Sequence, residues 1–353
     1  MESGEEASVR RELEKQELDR LAENAVFAAR SRGRLRSEAP DAVRTCFQVD
    51  RDRILHSPSF RRLKFKTQVF IEPLHDDLRT RLTHTLEVMQ ISRTVARALD
   101  LNEDLTEAIA LGHDLGHTPF AHVGESVLDR LSEDGFHHSG QSLRVVDCLE
   151  KGGEGLNLTR EVRDGIARHS KPEKSIFESM VAGSPLSLEA TIVRYCDSIA
   201  YLNHDIDDAL KTGQLKREDI PAYPREILGE RCGQRIDRSV RDMINQSAGE
   251  EKIKMSEPVA RATDELRNFM FENLYSALGS SPVVAEARHL ITSLYNFFLN
   301  NPSVIFERKP FLQEVDSPDP VIDFLSLQSD LSTIKLYRKY IDEKDFEYLP
   351  EFI

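Results

Sequence analysis

Residues 111–125 read LGHDLGHTPFAHVGE, which places His113, His117 and His122 within ten residues, beside Asp114 and Glu125. Imidazole and carboxylate are the donors that hold divalent transition-type cations, and imidazole also exchanges protons near neutral pH. On a regular helix the adjacent His113 and Asp114 would point about 100° apart. They can share one ion only where the helix ends or loosens, and Gly116 and Pro119 supply that interruption. His84, on an earlier amphipathic stretch, is a further donor. Asp197, in IVRYCDSIAYLNHDIDDAL, is the best fourth, because Ile192, Ile199 and Ala200 imply burial and a buried carboxylate is costly unless paired or metal-bound. Two imidazoles and two carboxylates with open positions suit Mn2+ or Mg2+, and also Fe, Co or Ni, better than a closed structural zinc site. His122 and Glu125 are three apart and share a helical face, where the carboxylate favours a protonated imidazole and so a general acid. His138 and Gln141 repeat the spacing. Seven of the eleven histidines fall between positions 75 and 138, which argues against scattered packing residues.

The elements that must position these groups read as helices. The spacing predicts a long helix over 82–99, with an apolar stripe of Leu82, Leu86, Met89, Thr94 or Val95, and Leu99 and with His84 off that stripe. A second starts at the N-cap Asn102 and runs to the His-Asp pair. Further helices are expected at 8–30, 121–133, 138–150, 158–168, 187–211, 255–278, 282–299 and 330–341. TQVFIEP (67–73) is a single β-like run, and 211–234 reads as a loop interrupted by apolar residues. The expected fold class is all-α: an N-terminal arm over 1–45, a helical core over 46–215 carrying the chemistry, and a helical region over 216–353 packed on it.

The chain has 353 residues, 39% hydrophobic and 31% charged, with no run of the roughly 18–20 apolar residues that spans a bilayer. The N-terminus is charged and lacks the apolar stretch of a secretory signal. Cys46, Cys148, Cys196 and Cys232 show no CxxC spacing, so a reduced, cytoplasmic protein is expected. The net charge of −14 opposes broad nucleic-acid binding and would repel an anionic ligand unless local cations reverse the field. FRRLKFKT (60–67), with Arg61, Arg62, Lys64 and Lys66, is the cluster expected to do so.

The pattern H…HD…D resembles the HD-domain superfamily. DRDRILHSPSFRRLKFKTQVF, RTRLTHTLEVMQISRTVARAL, NEDLTEAIALGHDLGHTPFAHVGE and CDSIAYLNHDIDDAL together resemble the bacterial deoxyguanosinetriphosphate triphosphohydrolase-like (dGTPase-like) proteins over about residues 30–300. The resemblance implies an α-helical bundle that hydrolyses deoxynucleoside triphosphates, with a divalent ion, to a deoxynucleoside and inorganic triphosphate. It assigns His84, His113, Asp114 and Asp197 as metal ligands, and His122 as the catalytic histidine near the α-phosphate, oriented by Glu125. His117 and His138 would line the phosphate site and Arg81 would meet the triphosphate. Gln68 would read the 3′-hydroxyl, and Tyr201 and Asp205, four and eight after Asp197, would pack and hydrogen-bond the sugar. His75, Asp76 and Asp77 depart from the family pattern by adding acid near a triphosphate, and Ser198 stands where some relatives carry a basic residue.

The same resemblance implies a dNTP substrate, a dNTP activator in some members, and a homo-oligomer, often a hexamer; single-stranded nucleic acid is a weaker expectation given the charge. Two other readings use the same residues. An HD nucleotidase would need the metal quartet but not Arg81 or the His117, His122 and Glu125 set. A dNTP sensor would bind without turnover.

Overall fold

The structure, a computed structural model, describes residues 8–71, 76–170, 185–342 and 346–349. The expected all-α class holds: among the described residues no strand forms, and extended pairing is confined to isolated bridges between Arg34 and Thr159 and between Thr67 and Thr80. In chain order the first helices are α1 (Val9–Arg20), α2 (Cys46–Leu55), α3 (Pro58–Arg62), α4 (Arg81–Ala98), α5 (Glu103–Gly112), α6 (Ala121–Leu131), α7 (His138–Arg144), α8 (Arg160–Ala167) and α9 (Leu188–Lys211). Then follow α10 (Ala222–Leu228), α11 (Cys232–Ser247), α12 (Glu257–Met270), α13 (Ser276–Leu278), α14 (Pro282–Asn300), α15 (Pro302–Arg308), α16 (Pro320–Ser326) and α17 (Asp330–Tyr340). Wider π-turns at Val145–Leu149 and Phe271–Tyr275 interrupt two stretches expected to be continuous.

α4, α5 and α9 pack on one another and form the frame of the site. Each begins at a side-chain cap that fixes its register. Thr80 accepts from the Thr83 amide, Asn102 from Leu105 and Ser187 from Ala190. The face that α4 buries is not the expected stripe. Leu86 is exposed, Leu82 and Met89 are half-buried, and the buried residues are Arg81, His84, Thr85, Val88, Ile91, Ser92, Val95 and Ala96. His84 therefore lies in the middle of the packed face. The register was misread because polar residues occupy the site-facing positions, so hydrophobicity alone points about a third of a turn away.

Segments from both ends of the described chain join the same core. Leu21, Ala25, Phe27 and Ala28 are buried with it, so the expected 8–30 helix stops at Arg20 and its remainder packs as a turn at Ala28–Arg30. From the other end, α14, α16 and α17 contribute Leu290, Leu294, Phe298, Phe324, Ile334 and Tyr337. A second apolar cluster joins the far half of α9, through Leu202, Ile206 and Ala209, to α10 and α12. The 211–234 stretch is not simply loop: it contains α10, and α11 starts within it. α11 escapes a hydrophobicity reading because much of its buried face is polar. Arg235 is 2% exposed, with Nε donating to Asn203 Oδ1 at 2.6 Å. α15 and α16, seven residues each, were too short to register as periodic patterns.

Candidate metal centre

α5 ends at Gly112, so His113 and Asp114 sit where the helix gives way to turns, as the pair requires to converge. The turn fits closely against α7. A Cβ on Gly116 would lie 2.2 Å from the Ser142 amide nitrogen, so only glycine lets the His-Asp turn approach there. His113 Nδ1 donates to the Ala110 carbonyl at 2.7 Å. In the neutral ring its Nε2 therefore carries the lone pair; this nitrogen is buried without a hydrogen-bond partner and lies 3.4 Å from Asp114 Oδ2. His84 Nε2 is 3.7 Å from the same oxygen and 3.3 Å from Asp197 Oδ1. The four expected ligands are thus brought together from α4, the end of α5, and α9.

This donor set fits a divalent cation. His84, His113 and Asp114 have ligand atoms all within 4.8 Å of one another, and a buried, unpartnered imidazole nitrogen beside carboxylates is what a ligand position looks like before the ion enters. Their proton affinities carry the same message. Burial works against charge at every one of these groups. The carboxylates of Asp114 and Asp197 are nonetheless held below the usual range, Asp114 by His113 and Arg81 and Asp197 by a hydrogen bond from His84. Against its burial, the Asp114 charge lifts His113 to about 9. Burial dominates at His84 and lowers it. A site that stabilises one extra positive charge among these rings stabilises a cation in the same place.

Behind His84 lies a support that the sequence reading missed. His84 Nδ1 is 2.9 Å from His204 Nε2, His204 Nδ1 is 2.8 Å from Asp205 Oδ1, and Tyr275 donates to Asp205 Oδ2 at 2.7 Å. His204 Nε2 offers His84 Nδ1 a partner, and a proton held there would leave the lone pair on His84 Nε2, the nitrogen that faces Asp197, although His204 Nδ1 and Asp205 Oδ1 make no hydrogen bond to each other. Asp205, expected at the sugar, is engaged here. The signal was present as a second His-Asp doublet, His204-Asp205, seven residues after Asp197. Tyr201 is half-buried; burial, with the Asp197 charge, pushes its hydroxyl up.

The expected acid-base pair also forms. His122 Nδ1 is 3.1 Å from Glu125 Oε2, and His122 is largely exposed, with 70% of its side chain open to solvent. Glu125 Oε1 accepts from both the backbone amide and Nδ1 of His138, at 2.9 and 2.7 Å. Although burial opposes it, hydrogen bonds from His122 and His138 keep Glu125 ionised far below the normal range. His117 stacks on His138 with ring centroids 4.9 Å apart, and neither of its buried ring nitrogens has a partner. Gln141 points elsewhere, to Asp323 and Ser326. The backbone that delivers His122 is strained: Phe120 and Ala121 both take left-handed conformations, at φ 55° and 53°. Asp330, the first residue of α17, holds it, with Oδ1 accepting from the Phe120 amide at 2.9 Å and Oδ2 from Thr67 N and Oγ1 at 2.8 and 2.5 Å.

Arg81 reaches the centre, with Nη1 on Asp114 Oδ2 at 2.8 Å and Nη2 on the Gln68 carbonyl at 3.0 Å. Gln68 is 4% exposed and its Oε1 is buried unpaired. The basic cluster at 60–67 does not act as one field. Arg61 turns to the His56 carbonyl, Arg62 to Ser59 and Glu150, and Lys64 lies over Phe65. Lys66 is buried, donating to the His117 and Ser326 carbonyls. Of the acidic departures, Asp76 and Asp77 are exposed in a turn before α4, and His75 lies outside the described residues. A cleft of about 940 Å3 bordered by Arg34, Arg44 and Arg53 lies on the side of the N-terminal segment, and each of those arginines pairs with carboxylates there. His169, which the sequence reading passed over, is buried with Nδ1 on the Ile166 carbonyl at 2.7 Å and Nε2 3.1 Å from His138 Nε2. It directly follows the amphipathic α8, which is its one sequence signal.

The fold and this centre define an HD-type phosphohydrolase. An HD-domain family model matches residues 81–202, and a phosphohydrolase-associated domain model matches 253–339. The chain is 46% identical over 343 residues to the deoxyguanosinetriphosphate triphosphohydrolase-like protein of Desulfatibacillum aliphaticivorans, covering 94% of this chain and 97% of that one. It is 47% identical over 332 residues to the like-named protein of Caldanaerobacter subterraneus subsp. tengcongensis, covering 94% and 95%. The chain therefore belongs to the deoxyguanosinetriphosphate triphosphohydrolase-like family of HD-domain proteins. No helix among the described residues is long and apolar enough to cross a membrane.

Proposed function

We propose that this protein hydrolyses deoxynucleoside triphosphates, dGTP and other dNTPs among them, to a deoxynucleoside and inorganic triphosphate by attack at the α-phosphorus. The observation that carries the reading is that His138 links two groups of side chains, with Nδ1 2.7 Å from Glu125 Oε1 and Nε2 3.9 Å from Asp114 Oδ1. The first is the His84, His113 and Asp114 group, which Asp197 joins through His84, with an unpartnered His113 Nε2. The second is the His122–Glu125 pair, reached through His117 and His138. A divalent ion on the four ligands, Mn2+ or Mg2+ first among those suited, would supply Lewis-acid polarisation of the α-phosphoryl group and activation of water.

The remaining work falls to side chains. Water adds its oxygen to the α-phosphorus as the bond to the sugar 5′-oxygen breaks, so that oxygen must gain a proton. His122 supports this role because Glu125 takes its Nδ1 and leaves Nε2 for the substrate, a contribution typically worth about 10²- to 10⁴-fold. His117, neutral through burial, has two uncommitted nitrogens for phosphate oxygens, and its neighbour His138 lines the same space. Arg81 brings a guanidinium to the polyphosphate once it shares or releases Asp114. Gln68 offers its unpaired amide oxygen to a sugar hydroxyl, and Tyr201 offers a ring face that would crowd a ribose 2′-hydroxyl. Asp205 would contact the sugar only by sharing its carboxylate with Tyr275. A dNTP activator, a hexamer or other homo-oligomer, and a cytoplasmic setting belong to the same proposal.

Phosphorus NMR on the four dNTPs with Mn2+ tests it. Tripolyphosphate as the phosphorus product is expected; pyrophosphate with dNMP refutes attack that frees the nucleoside. Asp114→Ala should abolish turnover and Mn2+ binding while the helical circular dichroism persists, and full activity in that variant overturns the metal role. Retained dNMP hydrolysis without dNTP turnover would instead mark a nucleotidase, and a thermal shift with dNTP but no product would mark a sensor.

A further inference from the structure

Among the described histidines of the centre, His117 alone has no hydrogen bond to its ring. Both ring nitrogens are buried without a partner. The ring stacks on His138, with centroids 4.9 Å apart, and meets the edge of His122, at 5.3 Å. The direction of its nitrogens is therefore set by the main chain that carries it. Among the described residues that main chain makes two hydrogen bonds. The His117 amide donates to the Asp114 carbonyl at 3.0 Å, within the turn. The His117 carbonyl accepts from Lys66 Nζ, which is its one tie to anything beyond the turn.

Lys66 is 2% exposed, and its second contact is the Ser326 carbonyl at 2.8 Å, at the end of α16. Its ammonium thus meets two neutral carbonyls rather than a carboxylate. Burial, reinforced by Arg62, lowers the ammonium to about 7, so the charge is costly to keep there. Replacing a buried charge by an apolar side chain is often neutral or stabilising, so fold stability does not account for Lys66. Its surroundings are firmly anchored. The Lys66 amide donates to the Leu63 carbonyl at 3.3 Å, and the Lys66 carbonyl accepts from the Arg81 amide at 3.0 Å. Thr67, next in the chain, is held by Asp330, and Ser326 Oγ accepts from Gln141 Nε2 at 2.9 Å. The ammonium therefore runs from anchored points to a carbonyl that has no other tie.

We propose that Lys66 is a positioning residue: its ammonium ties the His117 carbonyl to that of Ser326 and so aims the unpartnered His117 ring nitrogens at the phosphate oxygens of a bound dNTP. The phosphate role of His117 rests on the preceding reading; the clamp does not. An ammonium suits the task because it makes a charge-assisted bond to each carbonyl with two of its three N–H groups. Through a backbone carbonyl, α16 thereby governs the phosphate side of the site.

A double-mutant cycle tests this, because a residue that acts through the His117 ring has no effect once that ring is gone. Lys66→Met keeps the stem and removes the donors. With Mn2+, and well below the melting temperature of each variant, kcat/KM for dGTP should fall about 100-fold in Lys66→Met. Lys66→Gln, which retains neutral N–H donors, should recover part of the loss. In a His117→Ala background Lys66→Met should cost no more than about twofold. The same loss of about 100-fold in both backgrounds, or a loss under about tenfold in the presence of His117, overturns the proposal. A second readout is independent of turnover. In histidine-labelled, Mg2+-loaded protein, the His117 ring carbon–proton signal is assigned by its absence in His117→Ala. It should move in Lys66→Met, while that of His289 on α14, 3.2 Å from the Tyr337 hydroxyl, stays in place. An unmoved His117 signal overturns the clamp. If Lys66→Met does not fold, Lys66→Gln carries both measurements. No dNTP turnover by wild type would overturn the preceding reading, and the ring signals would still decide the clamp.

Discussion

Asp330 is the residue through which α17 holds the turn at Phe120 and Ala121, and Asp330→Ala measures that hold. Its carboxylate accepts three hydrogen bonds, from Thr67 N and Oγ1 and from Phe120 N, inside a site only 3% exposed. Truncation strands two backbone amides that have no other acceptor in reach. A buried donor left unsatisfied costs about 1–3 kcal/mol, and two give about 4 kcal/mol. Burial of the carboxylate opposes its charge, and relief of that opposition on truncation returns part of the loss. A net loss of about 3 kcal/mol is therefore expected in urea denaturation. Asp330→Asn, which keeps one acceptor oxygen, should lose about half as much. The local effect is more diagnostic than the global one. Phe120 and Ala121 hold left-handed backbone at roughly 1–2 kcal/mol each, and the Asp330 bond is what fixes the first of them. Hydrogen exchange should accelerate across 117–125 in Asp330→Ala and stay unchanged across α14. A stability loss under about 1 kcal/mol, or unaltered exchange at 117–125, would refute the argument that α17 pins the turn carrying His122.

Gly116→Ala should destabilise the protein by about 3 kcal/mol or more in the same urea assay, because the added carbon meets backbone atoms of Gln141 and Ser142 that cannot swing aside. It should also weaken Mn2+ binding, since His113 and Asp114 ride on that turn; a variant of wild-type stability would show that the turn and α7 separate freely. Lys66 gives a pH dependence. Burial, reinforced by Arg62, lowers its ammonium from the ordinary value of 10.5 to about 7. The folded protein thus binds this proton less readily than the unfolded chain does, so its contribution is fully present above about pH 10 and is lost as pH falls toward 7. The stability of wild type relative to Lys66→Met should accordingly rise by a few kcal/mol between pH 7 and 10, and a flat difference would contradict it.

Much of the metal centre was legible in the sequence because ligand chemistry restricts residue type severely. The His113-Asp114 doublet at a helix end, His84, and Asp197 in an apolar setting announced themselves, and the structure brings all four together. The i,i+3 spacing of His122 and Glu125 likewise sufficed for their contact, because that proximity is local to one helix turn. The buried face of α4 was misread for a related reason: function had placed polar residues where hydrophobicity is normally sought. α11 was lost because Arg235, Ser239 and Ser247 occupy its inner face, Arg235 satisfied by Asn203 on α9.

What the sequence determined by itself was the helical class and the His and Asp residues whose chemistry suits a cation, since periodicity and residue chemistry are properties of short segments. What only tertiary structure decided was convergence at long range. His169 enters the centre from the end of α8, 55 residues after Asp114, and Asp330 reaches Thr67 and Phe120 from α17. Neither contact leaves a mark in local pattern, because each depends on how separate helices dock, and docking is set by the sum of many small packing contacts that no single segment records.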